Sequence, residues 1–381
     1  MEKVKKILML IVLCALTLSL CACETEKPEK TSSNGIVEEA IRTDEPLLTV
    51  KDCYGSDIQI KKNPKTIATI FAVSSHLVAM LGDSEKIVAI AEGNTRDYLL
   101  CEMFPHILEA RVAKGNSTVN IEELVKDPVP ELVIINPDAS MSDETKKWLG
   151  DNEIPVWAIN FTTWEEQKTV VKDLGMVLGR EDESQRYIEY SESILEMVQE
   201  RVKSIPEAEK VTVYHAINEL LRTDKPNTLS QQVFSMAGVH NVASDIIPTS
   251  DSTLVSKNYI ALEELLQADP EFIFINGADV YDYILKSDRF DAMRAYKEEK
   301  LRMLPLGVSR WGHPNSVETP MAVLFIASTV YPDLFPDIDM REETEKFYKQ
   351  IWNYELSEEQ ITKIIEGRDY KTIKGSGGST N

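Results

Sequence analysis

Residues 121–136 read IEELVKDPVPELVIIN, and residues 262–276 read LEELLQADPEFIFIN. Each segment sets two glutamates at a helix start, Glu122 and Glu123 in one, Glu263 and Glu264 in the other. A Pro-Glu pair follows, Pro130–Glu131 or Pro270–Glu271, and then an apolar run closed by asparagine, Leu132 to Asn136 or Phe272 to Asn276. A helix, a turn and a buried strand in the same order, twice, predict two similar halves. The strand runs are apolar without alternation, as in parallel sheets covered by helices on both faces.

The rest of the body extends this pattern. TIATIFAVSSHLVAMLG predicts a strand from Ile67 to Val73, a polar corner at Ser74 and Ser75, and a helix carrying Leu77, Val78, Met80 and Leu81 up to Gly82. KIVAIAEG returns as a strand, and IPVWAINF supplies another at Val156 to Ile159. In the second half KVTVYHA supplies Val211 to Tyr214, a helix covers roughly Leu229 to Ala237, and LRMLPLG gives a last short strand. Between the halves, Glu181 to Ile205 runs without Pro or Gly. Tyr187, Ile188, Ser191, Leu195, Val198 and Val202 recur there at helical spacing. Such a helix is about 35 Å long, enough to cross from one lobe to the other, and a rigid rod permits little hinge bending. Met321 to Val330 reads as a helix with Pro320 at its start and Pro332 past its end. Two short helices follow, with Phe347, Tyr348, Trp352 and Tyr354 as core. The expected fold is α/β: two three-layer (αβα) lobes with mainly parallel sheets, joined by a single long interlobe helix. The N-terminal lobe spans 46–180, the interlobe helix 181–205 and the C-terminal lobe 206–370.

The ends carry different information. Lys3, Lys5 and Lys6 precede an apolar run from Ile7 to Ala22, the layout of an export signal over residues 1–22. LCAC at its end resembles the lipobox of bacterial lipoproteins, which implies lipid on Cys23 and anchoring to the outer face of the cell membrane. Residues 23–45 read as a flexible tether and 371–381 as a flexible tail. Net charge is −22, from 63 acidic and 41 basic residues, and no basic stripe offers a nucleic-acid footprint. No GxSxG, HExxH or P-loop pattern is present, so a binding protein is favoured over an enzyme, with a surface sensor or adhesin as the other class. Cys53 and Cys101 are left to pair in an oxidising space or to stay as buried free thiols.

TIATIFAVSSHLVAMLG, KIVAIAEG, both EEL…PE…IN units, TLSQQVFSMAGVHNVA and ETPMAVLFIASTVYP together resemble the ABC-importer substrate-binding proteins for iron-siderophore, haem and cobalamin, the class with one interlobe helix. The resemblance covers about residues 60–365. It implies capture of a solute between the lobes and delivery to a permease and its ATPase, with no catalysis, no resident cofactor and a monomeric protein. It also implies acidic docking knobs for the permease, which by position are Glu122 and Glu263. Glutamates at a helix start favour the helix dipole as well, and both roles stay open.

The residues offered to the ligand lie at predicted strand ends and in polar loops. They are Ser74, Ser75, Asn94, Arg96, Asn116 and Asn136 on the first lobe. On the second they are Tyr214, His215, Asn218, Arg222, Arg310, Trp311, His313, Asn315 and Glu318. Arg96, Arg222 and Arg310 favour an anionic or carboxylate-bearing ligand, and Trp311 offers a flat apolar wall. No HxxxH-type pair appears, though His215 and His313 meeting across the cleft would be metal ligands. The leading expectation is an iron chelate, a ferric siderophore first; haem, a corrinoid or an oxyanion such as molybdate stay open.

Overall fold

A computed structural model describes residues 47–115, 117–225, 227–247 and 258–367. The signal, Cys23, the tether, Asn116 and the tail fall outside the described residues. The described chain opens with an antiparallel hairpin that the sequence reading did not anticipate, β1 (Leu47–Lys51) and β2 (Asp57–Lys61). Then come β3 (Ile67–Thr69), α1 (Ala72–Met80), β4 (Ile87–Ala91), α2 (Tyr98–Met103), β5 (Arg111–Gly115) and β6 (Thr118–Val119). They are followed by α3 (Ile121–Leu124), β7 (Leu132–Ile135), α4 (Asp143–Asp151) and β8 (Val156–Ala158). One sheet runs β6-β5-β4-β3-β7-β8, parallel throughout except where β6 pairs with β5.

Two helices, α5 (Trp164–Leu178) and α6 (Glu181–Val202), lead to the second lobe. There β9 (Thr212–Ala216), α7 (Leu229–Met236), β10 (His240–Asn241), α8 (Ala243–Ile246), α9 (Leu262–Ala268) and β11 (Phe272–Ile275) come first. They are followed by α10 (Ala278–Leu285), α11 (Arg294–Lys297), β12 (Leu301–Met303), α12 (Thr319–Val330), α13 (Met340–Ile351) and α14 (Glu358–Glu366). This sheet is fully parallel, in the order β10-β9-β11-β12.

The repeated phrase is a repeated structure. In each lobe its strand lies beside the first strand of the main sheet, β7 against β3 and β11 against β9. The entry hydrogen bonds match. Glu131 N–H donates to Thr66 O at 2.8 Å and reaches Thr66 Oγ1 at 3.1 Å. Glu271 N–H donates to Thr212 O at 2.9 Å and reaches Thr212 Oγ1 at 3.2 Å. The Pro-Glu turn therefore sets strand register identically in both halves.

Each sheet is covered on both faces. In the first lobe one face packs Ile67, Ile90, Leu132 and Trp157 toward α1 and α5, and the other packs Ala68, Ala89 and Val133 toward Leu124 of α3 and Leu149 of α4. In the second lobe Val213 and Phe274 face α7 and α12, while Tyr214 and Ile273 face Leu265 of α9 and Val280 of α10. One continuous core passes from Ile67 through Leu195 and Val198 of α6 to Phe274 and Leu324. At about 1.5–3 kcal/mol for each large apolar side chain buried, this shared core ties the lobes to the rod.

The rod itself, α6, is 22 residues long, about 33 Å. It ends at Val202 rather than Ile205. Glu181, Asp182 and Glu183 at its start and Arg201 at its end suit the helix dipole. It packs against α5 and α12. The α5–α6 corner is tight: a Cβ on Gly175 would stand 2.3 Å from Ser184 Oγ. Phe347, Tyr348 and Trp352 are buried and Tyr354 packs against them partly buried, as expected, with Tyr348 stacked on Trp352 at 6.1 Å. Cys53 and Cys101 are free thiols, and Cys53 is exposed where burial was expected.

Candidate functional site

The parallel strands of both sheets run toward the loops that were expected to hold ligand. The first difference is at Ser74 and Ser75. The strand stops at Thr69 and α1 begins at Ala72, so the supposed polar corner is the first turn of a helix. Both serines are fully buried. Ser74 Oγ donates to Phe71 O at 2.6 Å, and Ser75 Oγ lies 2.7 Å from Thr69 Oγ1 and 3.0 Å from Asn94 Oδ1. Asn94 is buried too, its Nδ2 donating to Ala72 O at 3.0 Å and approaching Asp97 Oδ2 at 3.3 Å. His76 Nε2 lies 2.8 Å from that same Asp97 oxygen. Ser74, Ser75 and Asn94 thus support the strand ends from inside and present no free polar atom to a solute. Arg96 sits at the rim, half exposed, 3.5 Å from Glu92.

On the second lobe, four of the expected contacts are interior. Tyr214 is buried and its hydroxyl donates to Leu220 O at 2.8 Å, pinning the loop after β9. His215 is fully buried, with Nδ1 2.9 Å from Asp224 Oδ2 and its ring 5.0 Å from Phe234. That placement removes it as a ligand to a metal in the cleft. Trp311 has no exposed surface and packs edge-on against Phe325 of α12, so it is core rather than a wall for a solute. Its seat exists because α12 is apolar around most of its circumference. Among the described residues, no group of three or more His, Cys, Asp or Glu is arranged to hold a metal ion.

Glu318 is also interior and acts on the loop before it. It is fully buried at the start of α12. Its carboxylate accepts from Ser309 N at 2.7 Å, Ser309 Oγ at 2.8 Å and Tyr348 OH at 2.5 Å. Burial pushes its pKa above the ordinary value in spite of these donors. Gly307 makes room for it: a Cβ there would lie 2.0 Å from Glu318 Oε1 and 2.2 Å from Tyr348 OH. The loop from Leu304 to Trp311 is thereby fixed one residue before Arg310.

Two arginines remain at the strand ends of the second lobe, with Asp97 and Asp279 acting on one of them. Arg310 is half-buried and donates to Asn218 Oδ1. Asn218 stands in the left-handed region at φ 60° and its N–H donates to Asn276 Oδ1 at 2.9 Å. Burial lowers the Arg310 pKa first, and neighbouring Arg222 lowers it further, while Asp97 of the other lobe and Asp279 raise it. That mutual influence places Arg310 within electrostatic reach of the first lobe. Among the described residues Arg310 has no ion pair. Arg222 is half-buried, held by backbone bonds that join Ile217 N to Arg222 O and Ile260 N to Leu221 O. His313 and Asn315 are half-buried beyond Arg310, with Asn315 N 3.4 Å from His313 Nδ1. On the first lobe Asn136 accepts from Lys114 Nζ at 2.5 Å. Lys114 was missed by the sequence reading; its signal was a lysine at the inner end of the strand RVAKG. Asp97 was missed as well.

The two repeated glutamate pairs resolve into different roles. Glu264 Oε2 accepts from Ala261 N at 2.7 Å and caps α9, and Glu123 pairs with Lys126 at 2.5 Å. Glu122 and Glu263 are exposed, and among the described residues neither side chain has an ion pair or hydrogen-bond partner.

The architecture defines a two-lobed solute-binding protein of ABC importers, and comparison with known proteins agrees. The chain belongs to the periplasmic binding protein family, whose model matches residues 67–306. It is 23% identical over 299 residues to an uncharacterized ABC transporter substrate-binding lipoprotein, YvrC, of Bacillus subtilis, covering 76% of this chain and 87% of that one. It is 20% identical over 327 residues to the molybdate-binding protein MolA of Haemophilus influenzae, covering 80% and 88%. The solved structure of that protein bound to molybdate superposes with a TM-score of 0.70 at 18% identity, covering 81% of this chain and 99% of that one. A periplasmic solute-binding protein of Veillonella parvula superposes with a TM-score of 0.69 at 26% identity, covering 84% and 97%. The family is non-catalytic and works outside the cytoplasm with an importer.

Proposed function

We propose that this protein captures an anionic solute between its lobes and delivers it to a membrane permease, with a small oxyanion such as molybdate as the first reading. The single observation that carries this is Arg310. It is a half-buried guanidinium, bonded to a neutral amide, beside Arg222 and without an ion pair among the described residues. A cation desolvated in this way is costly unless an anion completes it. The similarity to a molybdate-binding protein supports the same choice. The expectation of a ferric siderophore draws partly on Trp311 as an apolar wall, and the burial of that ring removes this support. Ferric siderophores, haem and corrinoids stay as second readings, since each can present carboxylate or phosphate groups to the same arginine.

In this reading lipid on Cys23 holds a monomer at the outer membrane face, residues 23–45 give it reach, and Glu122 and Glu263 meet the permease. The test is calorimetric titration of the wild type and of Arg310→Met with molybdate, tungstate, haem, a corrinoid and ferric chelates. Loss of one charge-assisted contact weakens the true ligand by about tenfold to a hundredfold. Equal affinities in wild type and variant would remove Arg310 from the site.

A further inference from the structure

The two repeats end alike, on Asn136 and Asn276, each just past the strand that flanks the first strand of its sheet. In both sheets strand order reverses there: β4 and β7 flank β3, and β10 and β11 flank β9. Ligands of open parallel sheets collect beyond the strands at such reversals. In the second lobe Asn276 leads through Asn218 to Arg310. In the first lobe Asn136 leads directly to Lys114. The chain after Asn136 turns back over the strand ends, where Val119 N–H donates to Ser140 O at 3.1 Å, and this brings Asn136 within reach of a side chain from β5.

Lys114 is only 8% exposed. An ammonium has three donors, and Asn136 is its one hydrogen-bonded acceptor among the described residues, with no carboxylate at ion-pair distance. Burial holds its pKa below the ordinary lysine value, with Asp138 acting in the other direction. Glu92, near Gly115, pairs with Arg96 instead.

We propose that Lys114 is the first-lobe contact for the anion that Arg310 holds from the second lobe, each cation being set by the terminal asparagine of its repeat. The proposal rests on the anionic-solute reading above and adds a specificity-determining residue to it. A ligand gripped this way carries negative charge on two opposed faces. A tetrahedral oxyanion has this property, as does a compact anionic chelate.

The test is titration of wild type, Lys114→Met, Lys114→Arg and Arg310→Met with sodium molybdate and with a ferric tris-catecholate chelate near neutral pH. The thermal midpoint of each ligand-free protein is measured alongside. Lys114→Met is expected to bind the preferred anion about tenfold or more weakly. Its ligand-free midpoint should be unchanged or higher, because a buried charge has been removed. Lys114→Arg should recover most of the affinity. The probe that binds tells a small oxyanion from a chelate. Unchanged affinity in Lys114→Met together with loss in Arg310→Met would overturn the proposal and leave the anionic-solute reading standing. A lowered ligand-free midpoint in Lys114→Met without rescue by arginine would also overturn it, showing a lysine that only supports the loop. A wild type that binds neither probe would overturn both.

Discussion

Glu122 and Glu263 occupy the same position in two structurally matched units, one per lobe, and both are exposed without a partner among the described residues. Their sequence neighbours Glu123 and Glu264 are engaged, one with Lys126 and one in capping its own helix. Glu122 and Glu263 also lie in the first turns, where the helix dipole favours them, and in addition they face solvent, as the proposed two-point docking surface needs. Replacing both with alanine is expected to abolish efficient uptake and leave solute affinity intact. At about 1.5 kcal/mol for each close interfacial charge pair, the two together are worth about a hundredfold in permease affinity. Uptake by whole cells and titration of the purified double variant measure the two quantities separately, and wild-type uptake would exclude the assignment.

Glu318 predicts a pH effect on stability. Its folded pKa lies above the ordinary 4.5 because of burial. A carboxyl shifted upward contributes its full stability below the unfolded pKa and loses it as pH rises through the folded value. Glu318→Gln keeps an acceptor for Ser309 and a polar group for Tyr348 without the charge. The thermal midpoint of the wild type should fall relative to this variant as pH is raised from 4.5 toward neutrality. A gap that stays constant with pH would contradict the assignment. Gly307→Ala, by contrast, should lower the midpoint at every pH, since overpacking of this kind costs about 1–3 kcal/mol.

The cysteines give a test of the packing. Cys101 is 8% exposed, its Sγ 3.4 Å from Asn94 O, and burial followed by nearby Asp97 pushes its thiol up to about 11. Cys53 is exposed in the hairpin corner. Alkylation of the native protein should therefore modify Cys53 and spare Cys101 until the chain is unfolded. Peptide mapping by mass spectrometry that finds Cys101 modified as fast as Cys53 would show a looser first lobe.

The lobes, the rod and the repeat were legible because each rests on local periodicity: apolar runs for strands, helical spacing from Tyr187 to Val202, and the Pro-Glu turn. The site was less so. Ser74 and Ser75 carry a turn signal, yet both lie in the first turn of α1, Ser74 bonded back to Phe71 O and Ser75 to the buried Thr69 and Asn94. Trp311 and His215 look like recognition residues in a polar stretch, and their burial depends on α12 and α7, which are distant in sequence. Lys114 was passed over for the converse reason. RVAKG is too polar to read as a strand, and its lysine gains meaning only beneath the loop from Asn136.

Anomalous diffraction at the molybdenum edge, from crystals grown with molybdate, tests the central claim most directly. A bound anion between the lobes predicts a molybdenum peak whose oxygens lie about 3 Å from the Arg310 guanidinium. Peaks confined to the outer surface, with Arg310 still bonded only to Asn218 in protein shown by titration to be loaded, would contradict it.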